Sequence, residues 1–129
     1  MAALAAPCCE ATQAIAAAAD EEEETYGDPP GVTVVVASVT AFRGTLLDAS
    51  VDRTGLMQWP ARVAVSEWLC AAAREARFEG KSLLELGCGA GGCGAVAAKL
   101  GLRVDCSDAS EEAVALAARN LARNGASSE

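Results

Sequence analysis

Six residues in the second half of the chain have types and spacing that could do chemistry: Glu85, Gly87, Cys88, Gly89, Gly91 and Asp108. Five of them fall in Ser82-Leu83-Leu84-Glu85-Leu86-Gly87-Cys88-Gly89-Ala90-Gly91-Gly92, an apolar run that ends in closely spaced glycines. Asp108 closes the next apolar run, Val104-Asp105-Cys106-Ser107-Asp108. A chain that leaves a strand and enters a helix at once must turn sharply, and glycine does so without a Cβ clash. The bare turn lets a ligand approach the backbone, and the free N–H groups of the helix start favour a carboxylate or other anion. A carboxylate at the next strand end can accept hydrogen bonds from ribose hydroxyls. Strand, glycine turn, helix, strand and carboxylate together describe a site for a nucleotide-like cofactor.

The glycines alone leave the cofactor open. Gly87-x-Gly89-x-x-Gly92 fits the dinucleotide fingerprint, and Gly87-x-Gly89-x-Gly91 fits a second pattern equally well. Glu85 discriminates between them. Two residues before the first glycine, a carboxylate repels a pyrophosphate but can accept a hydrogen bond from the ammonium of an amino acid. That favours S-adenosylmethionine, which carries an amino acid and a ribose and no phosphate. The simpler role for Glu85 is to cap amides of the loop.

The positioning elements read as follows. Residues 82–86 form the first strand of a parallel sheet, residues 93–99 a helix ended by Gly101, and residues 103–107 a second strand. Asp108 and Ser110 are candidate N-caps for a helix that Asn124-Gly125 stops, with Val114, Leu116, Ala117, Ala118 and Leu121 along it. Upstream, Pro60 suits the first turn of a helix over about residues 61–77, with Val65, Trp68, Leu69, Ala72 and Ala76 as its apolar stripe. Trp68 is assigned to the core. Trp59 stands just before the helix, as a pocket wall or as a packing anchor. The β-branched run at 32–40 reads as a strand, residues 42–47 as its partner, and residues 48–53 as a loop.

Composition sets the outer bounds. The chain has 129 residues, room for one small domain, and much of its apolar content is alanine. Residues 1–30 hold seven acids and no Lys or Arg, while the remainder is nearly neutral, for a net charge of −8. No basic face offers itself to nucleic acid. Six cysteines, no histidine and no C-x-x-C pair argue against zinc and for buried thiols in a reducing compartment. No run is long or apolar enough to span a bilayer, and no basic leader is present, so the cytoplasm or nucleus is the expected location. Three segments are expected: residues 1–30 as a disordered acidic, Ala-rich tail, residues 31–54 as a β segment, and residues 55–126 as the cofactor-binding unit.

Leu83-Leu84-Glu85-Leu86-Gly87-Cys88-Gly89-Ala90-Gly91 resembles motif I of the class I, seven-β-strand S-adenosylmethionine-dependent methyltransferases. With Trp59-Pro60-Ala61, the strand end at Asp108, and Asn120 and Asn124 late in the next helix, the chain looks like the protein-lysine methyltransferase subgroup. That subgroup includes the methyltransferase-like 21 relatives and calmodulin-lysine methyltransferase. The resemblance covers about residues 55–125. It implies a Rossmann-like α/β fold in which Gly87, Cys88, Gly89 and Gly91 meet the cofactor, Asp108 takes the ribose hydroxyls, Trp59 closes the pocket and Glu85 supports the amino group. Ala90 stands where the family often has Thr. The acceptor it implies is a lysine side chain of a protein substrate.

Only two strands of such a sheet are legible, so the fold is expected to be truncated after the second core strand and its helix. Methyl transfer depends on alignment of the nucleophile and exclusion of water, and no substrate wall or catalytic residue can be named. The reading is a protein-lysine methyltransferase present as a truncated form. The alternatives are a non-catalytic binding fragment or pseudoenzyme, and an NAD-dependent oxidoreductase fragment, which Glu85 and Trp59-Pro60-Ala61 disfavour.

Overall fold

The computed structural model describes residues 19–38 and 54–126. Four strands and three α-helices follow in order: β1 (Asp20–Tyr26), β2 (Val32–Ser38), a 3-10 turn (Thr54–Leu56), α1 (Ala61–Arg74), β3 (Ser82–Leu86), α2 (Gly92–Lys99), β4 (Arg103–Ser107) and α3 (Glu111–Arg123). They form two separate two-stranded sheets, an antiparallel β1–β2 hairpin and a parallel β3–β4 pair. The parallel pair is in register from Ser82 opposite Arg103 to Leu86 opposite Ser107. This mixed α/β arrangement, with β3–α2–β4 as its parallel unit, is compatible with a methyltransferase-like fold.

Helix α2 is the centre of the packing. It touches β2 of the hairpin, α1, α3 and both strands of the parallel pair, and its Ala95, Val96 and Ala97 are fully buried. Small residues on α2 let these neighbours approach closely; the large apolar groups come from outside, as Val34, Val36, Leu56, Leu69 and Leu116.

The three helices end in the same way. In each, the residue after the C-cap has positive φ and its N–H, with that of the next residue, returns to the last turn: Ala76 and Arg77 for α1, Gly101 and Leu102 for α2, Gly125 and Ala126 for α3. This is the Schellman arrangement, which glycine adopts without strain. In α1 the position holds Ala76, at φ 55°. The helix expected to reach residue 77 therefore stops at Arg74, closed by the Ala76 and Arg77 N–H bonds to Ala73 and Ala72 around a residue whose own preference is to continue.

Three sequence expectations are corrected. Residues 20–26, assigned to a disordered tail, form β1. Its acids face uncharged residues across the ladder, from Asp20 opposite Ser38 to Tyr26 opposite Val32. Alternation along the strand sends Glu22, Glu24 and Tyr26 toward Arg62, while Glu21 pairs with Arg123. Opposite charges on two helices thus offset the self-repulsion that suggested a tail. Second, Trp68 is 55% exposed and meets Phe78 edge-on, at a centroid distance of 5.8 Å. The buried face of α1 is rotated to Ser66, Leu69, Cys70 and Ala72, with Val65 left outside. Third, the partner of β2 is β1; the strand expected at residues 42–47 and the loop at 48–53 lie outside the described residues, as does the tail before residue 19.

A polar clamp joins hairpin and helix. On α3, Asn120 and Asn124 are one turn apart and both buried. Asn120 Oδ1 accepts from the Ala37 N–H (2.9 Å) and its Nδ2 donates to the Ala37 carbonyl (2.8 Å). Asn124 repeats this at Val35, at 3.0 and 2.7 Å. Two side-chain amides thus stand in for a neighbouring strand along the open edge of β2 and satisfy backbone groups that burial would otherwise orphan.

Candidate functional site

The glycine turn is fixed by what surrounds it. Cys88 N–H donates to Ser107 O (2.9 Å), carrying the β3–β4 ladder one step beyond the strand. Gly89 has φ 53°, and a Cβ there would stand 2.7 Å from Gly55 O, so the turn presses on the segment before α1. Gly91, at φ 74°, is the N-cap of α2, and a Cβ on it would lie 2.7 Å from the Ala117 Cβ. Neither site admits a side chain without backbone movement.

Two carboxylates fix the turn and the helix that follows it. Asp108 Oδ2 accepts from the Gly89 N–H (2.9 Å) and its Oδ1 from the Ser110 N–H (3.0 Å). These bonds, Ser110 first and Gly89 second, hold the Asp108 carboxyl below the usual aspartate value. Ser110 is the N-cap of α3, its Oγ accepting from Ala113 N–H, with Glu111 and Glu112 in the first turn as expected. Glu85, on the inward face of β3, accepts from the Gly94 N–H through Oε2 (2.9 Å). It supplies from a strand the cap that Gly91 cannot give to α2. Burial pushes the Glu85 carboxyl up, opposed by the Gly94 bond and the thiols of Cys106 and Cys93. Glu85 thus caps an amide of α2, whereas the simpler role foreseen for it was to cap amides of the loop.

A cleft of about 410 Å³ opens over the turn, a size typical of small-molecule sites. Trp59, Glu85, Gly87, Cys88, Gly89 and Asp108 all line it. Trp59 is 54% exposed at its edge, with Nε1 donating to Thr54 O (3.1 Å), and is no core anchor. Gly91 does not line the cleft; its α-carbon turns toward α3. Thr54, Gly55, Met57, Gln58 and Arg62 also line it and were missed. Their one sequence signal was adjacency to Trp59. Arg62 is the one Lys or Arg lining the cleft among the described residues, and Glu24 and Tyr26 grip it from outside. Burial lowers its pKa against the pull of Glu22.

Three thiols flank the turn. The Cys106 thiol beside Cys88 holds the latter below the usual thiol value, while Cys106 itself is raised. Burial, with Glu85 adding to it, pushes Cys93 up to about 11. Among the described residues no three-residue cluster could hold a metal ion, and no helix is long and apolar enough to cross a membrane.

A family model described as lysine methyltransferase matches residues 45–129, the segment that carries the turn, both carboxylates and the cleft. The chain belongs to the lysine methyltransferase family. A comparison with curated proteins gives no match. Membership in this family implies S-adenosylmethionine as methyl donor and a protein as acceptor.

Proposed function

We propose that the cleft binds S-adenosylmethionine and that the chain serves methyl transfer to a lysine side chain. The carrying observation is the charge of the cleft. Glu85 and Asp108 face it, and Arg62, its one lining cation among the described residues, is engaged by Glu24. A pyrophosphate would meet uncompensated negative charge there, whereas an ammonium or sulfonium would meet attraction. The burial that raises Glu85 makes a cation beside it still more favourable. The floor is open as well: a Cβ at Gly87 would meet no atom within 4 Å.

In this reading Glu85 holds the amino group and Asp108 accepts from the ribose. Both oxygens of Asp108 already take one backbone N–H, and a carboxylate has capacity for two more donors. Gly87, Cys88 and Gly89 give the ligand access to backbone, and Trp59 walls the outer side. When bound, S-adenosylmethionine supplies an electrophilic methyl group on a sulfonium centre. The protein's share is to align the incoming amine and to exclude water. No residue of the cleft is assigned as a catalytic base.

The outer face of the parallel pair bears on turnover. Leu84 is 62% and Leu86 74% exposed, and β3 has a partner on one side alone among the described residues. Parallel sheets are normally covered on both faces. We therefore include in the proposal that, in the working enzyme, further elements cover this face and further strands extend the sheet beyond β3, and that the arrangement described here binds cofactor without turning over. The test is transfer of radiolabelled methyl from S-adenosylmethionine to lysine-containing proteins. The purified 129-residue chain is expected to bind donor and leave acceptors unlabelled. Steady lysine labelling that Asp108→Ala abolishes would support the methyltransferase and overturn the need for further strands.

A further inference from the structure

We infer that Asn120 is a positioning residue of the cofactor cleft, and that through it the seating of the acidic hairpin is coupled to the shape of the glycine turn. The inference rests on the cofactor reading above and extends it to a residue outside the cleft.

Asn120 has three partners on two elements. Besides its two bonds to Ala37 of β2, its Nδ2 donates to the Ala90 carbonyl, in the middle of the glycine turn, at 2.8 Å. The side chain is 1% exposed. Its amide orientation follows from its surroundings: one N–H and two carbonyls can all be satisfied only with Oδ1 toward the former and Nδ2 toward the latter. The turn is therefore pinned at three successive residues. Asp108 holds Gly89, Asn120 holds Ala90, and Ala117, one helical turn earlier on α3, backs Gly91. Of these three anchors, Asn120 is the one that also grips β2. Its neighbour Asn124 supplies a built-in control. It bonds Val35 of β2 and the Asn120 carbonyl, and not the turn. If the hairpin shifts, Ala37 moves Asn120, and Asn120 releases Ala90. By linkage, a ligand that orders the turn must tighten the hold on Ala37.

Two variants separate positioning from plain stability. Asn120→Asp keeps shape and the acceptor for Ala37 but turns an anion toward two carbonyls, one of them Ala90. Asn124→Asp makes the same change at the carbonyls of Val35 and Asn120, neither of them in the turn. Calorimetric titration with S-adenosylmethionine, at a temperature where both variants are folded by circular dichroism, should show Asn120→Asp weakened by about tenfold or more. Asn124→Asp should stay within about twofold, the difference of one hydrogen bond's order of magnitude. Equal affinities in Asn120→Asp and wild type, or equal losses in both variants, would overturn the inference while leaving the cofactor reading standing. Failure of the wild-type chain to bind would overturn both. Should Asn120→Asp not fold, hydrogen exchange on the wild type decides. Saturating S-adenosylmethionine should slow the Ala37 amide severalfold more than the Val35 amide. Equal slowing of the two would mean global stabilisation only and would refute the coupling.

Discussion

Replacing Asn120 by Ala should be among the most damaging single changes outside the cleft. The substitution removes one side chain but orphans three backbone groups: the Ala37 N–H, the Ala37 carbonyl and the Ala90 carbonyl. Ala37 and Ala90 are 3% and 2% exposed, so water has little access to replace the lost partners. A buried polar group left unsatisfied costs about 1–3 kcal/mol. Three such groups, allowing for local relaxation, give roughly 3–6 kcal/mol, against a total stability of about 5–15 kcal/mol for an ordinary domain. With a urea dependence of about 2 kcal/mol per molar, the midpoint of unfolding should fall by about 1.5–3 M. Asn124→Ala should cost less, about 1–2 kcal/mol, because half-buried Val35 can turn to water. Urea titrations followed by far-ultraviolet circular dichroism measure both. A midpoint for Asn120→Ala within about 0.5 M of wild type would refute the reasoning, since the clamp would then carry little of the fold. So would a larger loss at Asn124 than at Asn120.

Three further outcomes follow from particular contacts. Ala76→Gly should raise stability by about 0.5–1 kcal/mol in a thermal melt, because exposed Ala76 occupies the left-handed position that Gly101 and Gly125 fill in the other two helices; a lower melting temperature would show that the turn is not strained. Glu24→Gln should cost about 2 kcal/mol by leaving the guanidinium of Arg62, 13% exposed, without its nearer anionic partner and with Glu22 at 4.0 Å, whereas Glu23→Gln, on the exposed side of the same strand, should change stability by less than about 0.5 kcal/mol; equal effects would mean that the acidic strand acts only through its net charge. Cys93, held up to about 11 by burial against an ordinary 9.0, keeps its proton in the folded state where the unfolded chain has lost it. Stability should therefore be unaffected by Cys93 below about pH 9 and fall as pH rises from about 9 to about 11, and Cys93→Ala should shrink that fall; an unchanged alkaline profile would place the thiol in a less buried setting.

The parts of this molecule that were legible in the sequence are those where local preference and tertiary need coincide. Ser82-Leu83-Leu84-Glu85-Leu86 followed by spaced glycines admits few structures, and β3, the turn, α2 and β4 stand where spacing put them. Ser110, Glu111 and Glu112 announced the start of α3 through capping and helix-dipole chemistry. What was hidden depended on distant partners. Asp20–Tyr26 is a strand because Arg62 and Arg123, far along the chain, neutralise alternate sides of it. Trp68 fits an apolar stripe by spacing, but the face of α1 that meets α2 and the hairpin is rotated away from it. Asn120 and Asn124 are polar, so a search for an apolar stripe passes over them, yet their positions continue the buried line of Ala113, Leu116 and Ala117. Spacing of four between two amides on a helix, opposite a β-branched run, is the signal that could have found the clamp. Of the cleft, the glycines and carboxylates were visible, whereas Gly55, Gln58 and Arg62 enter it through contacts made before and along α1.

Calorimetric titration of the purified chain with S-adenosylmethionine, with NAD as the control ligand, tests the central claim most directly. A cleft floored by open glycine backbone and faced by Glu85 and Asp108 should bind S-adenosylmethionine saturably and ignore NAD, and Asp108→Ala should abolish the signal. Binding of NAD with equal or greater affinity, or S-adenosylmethionine binding that Asp108→Ala leaves intact, would contradict the assignment of this cleft.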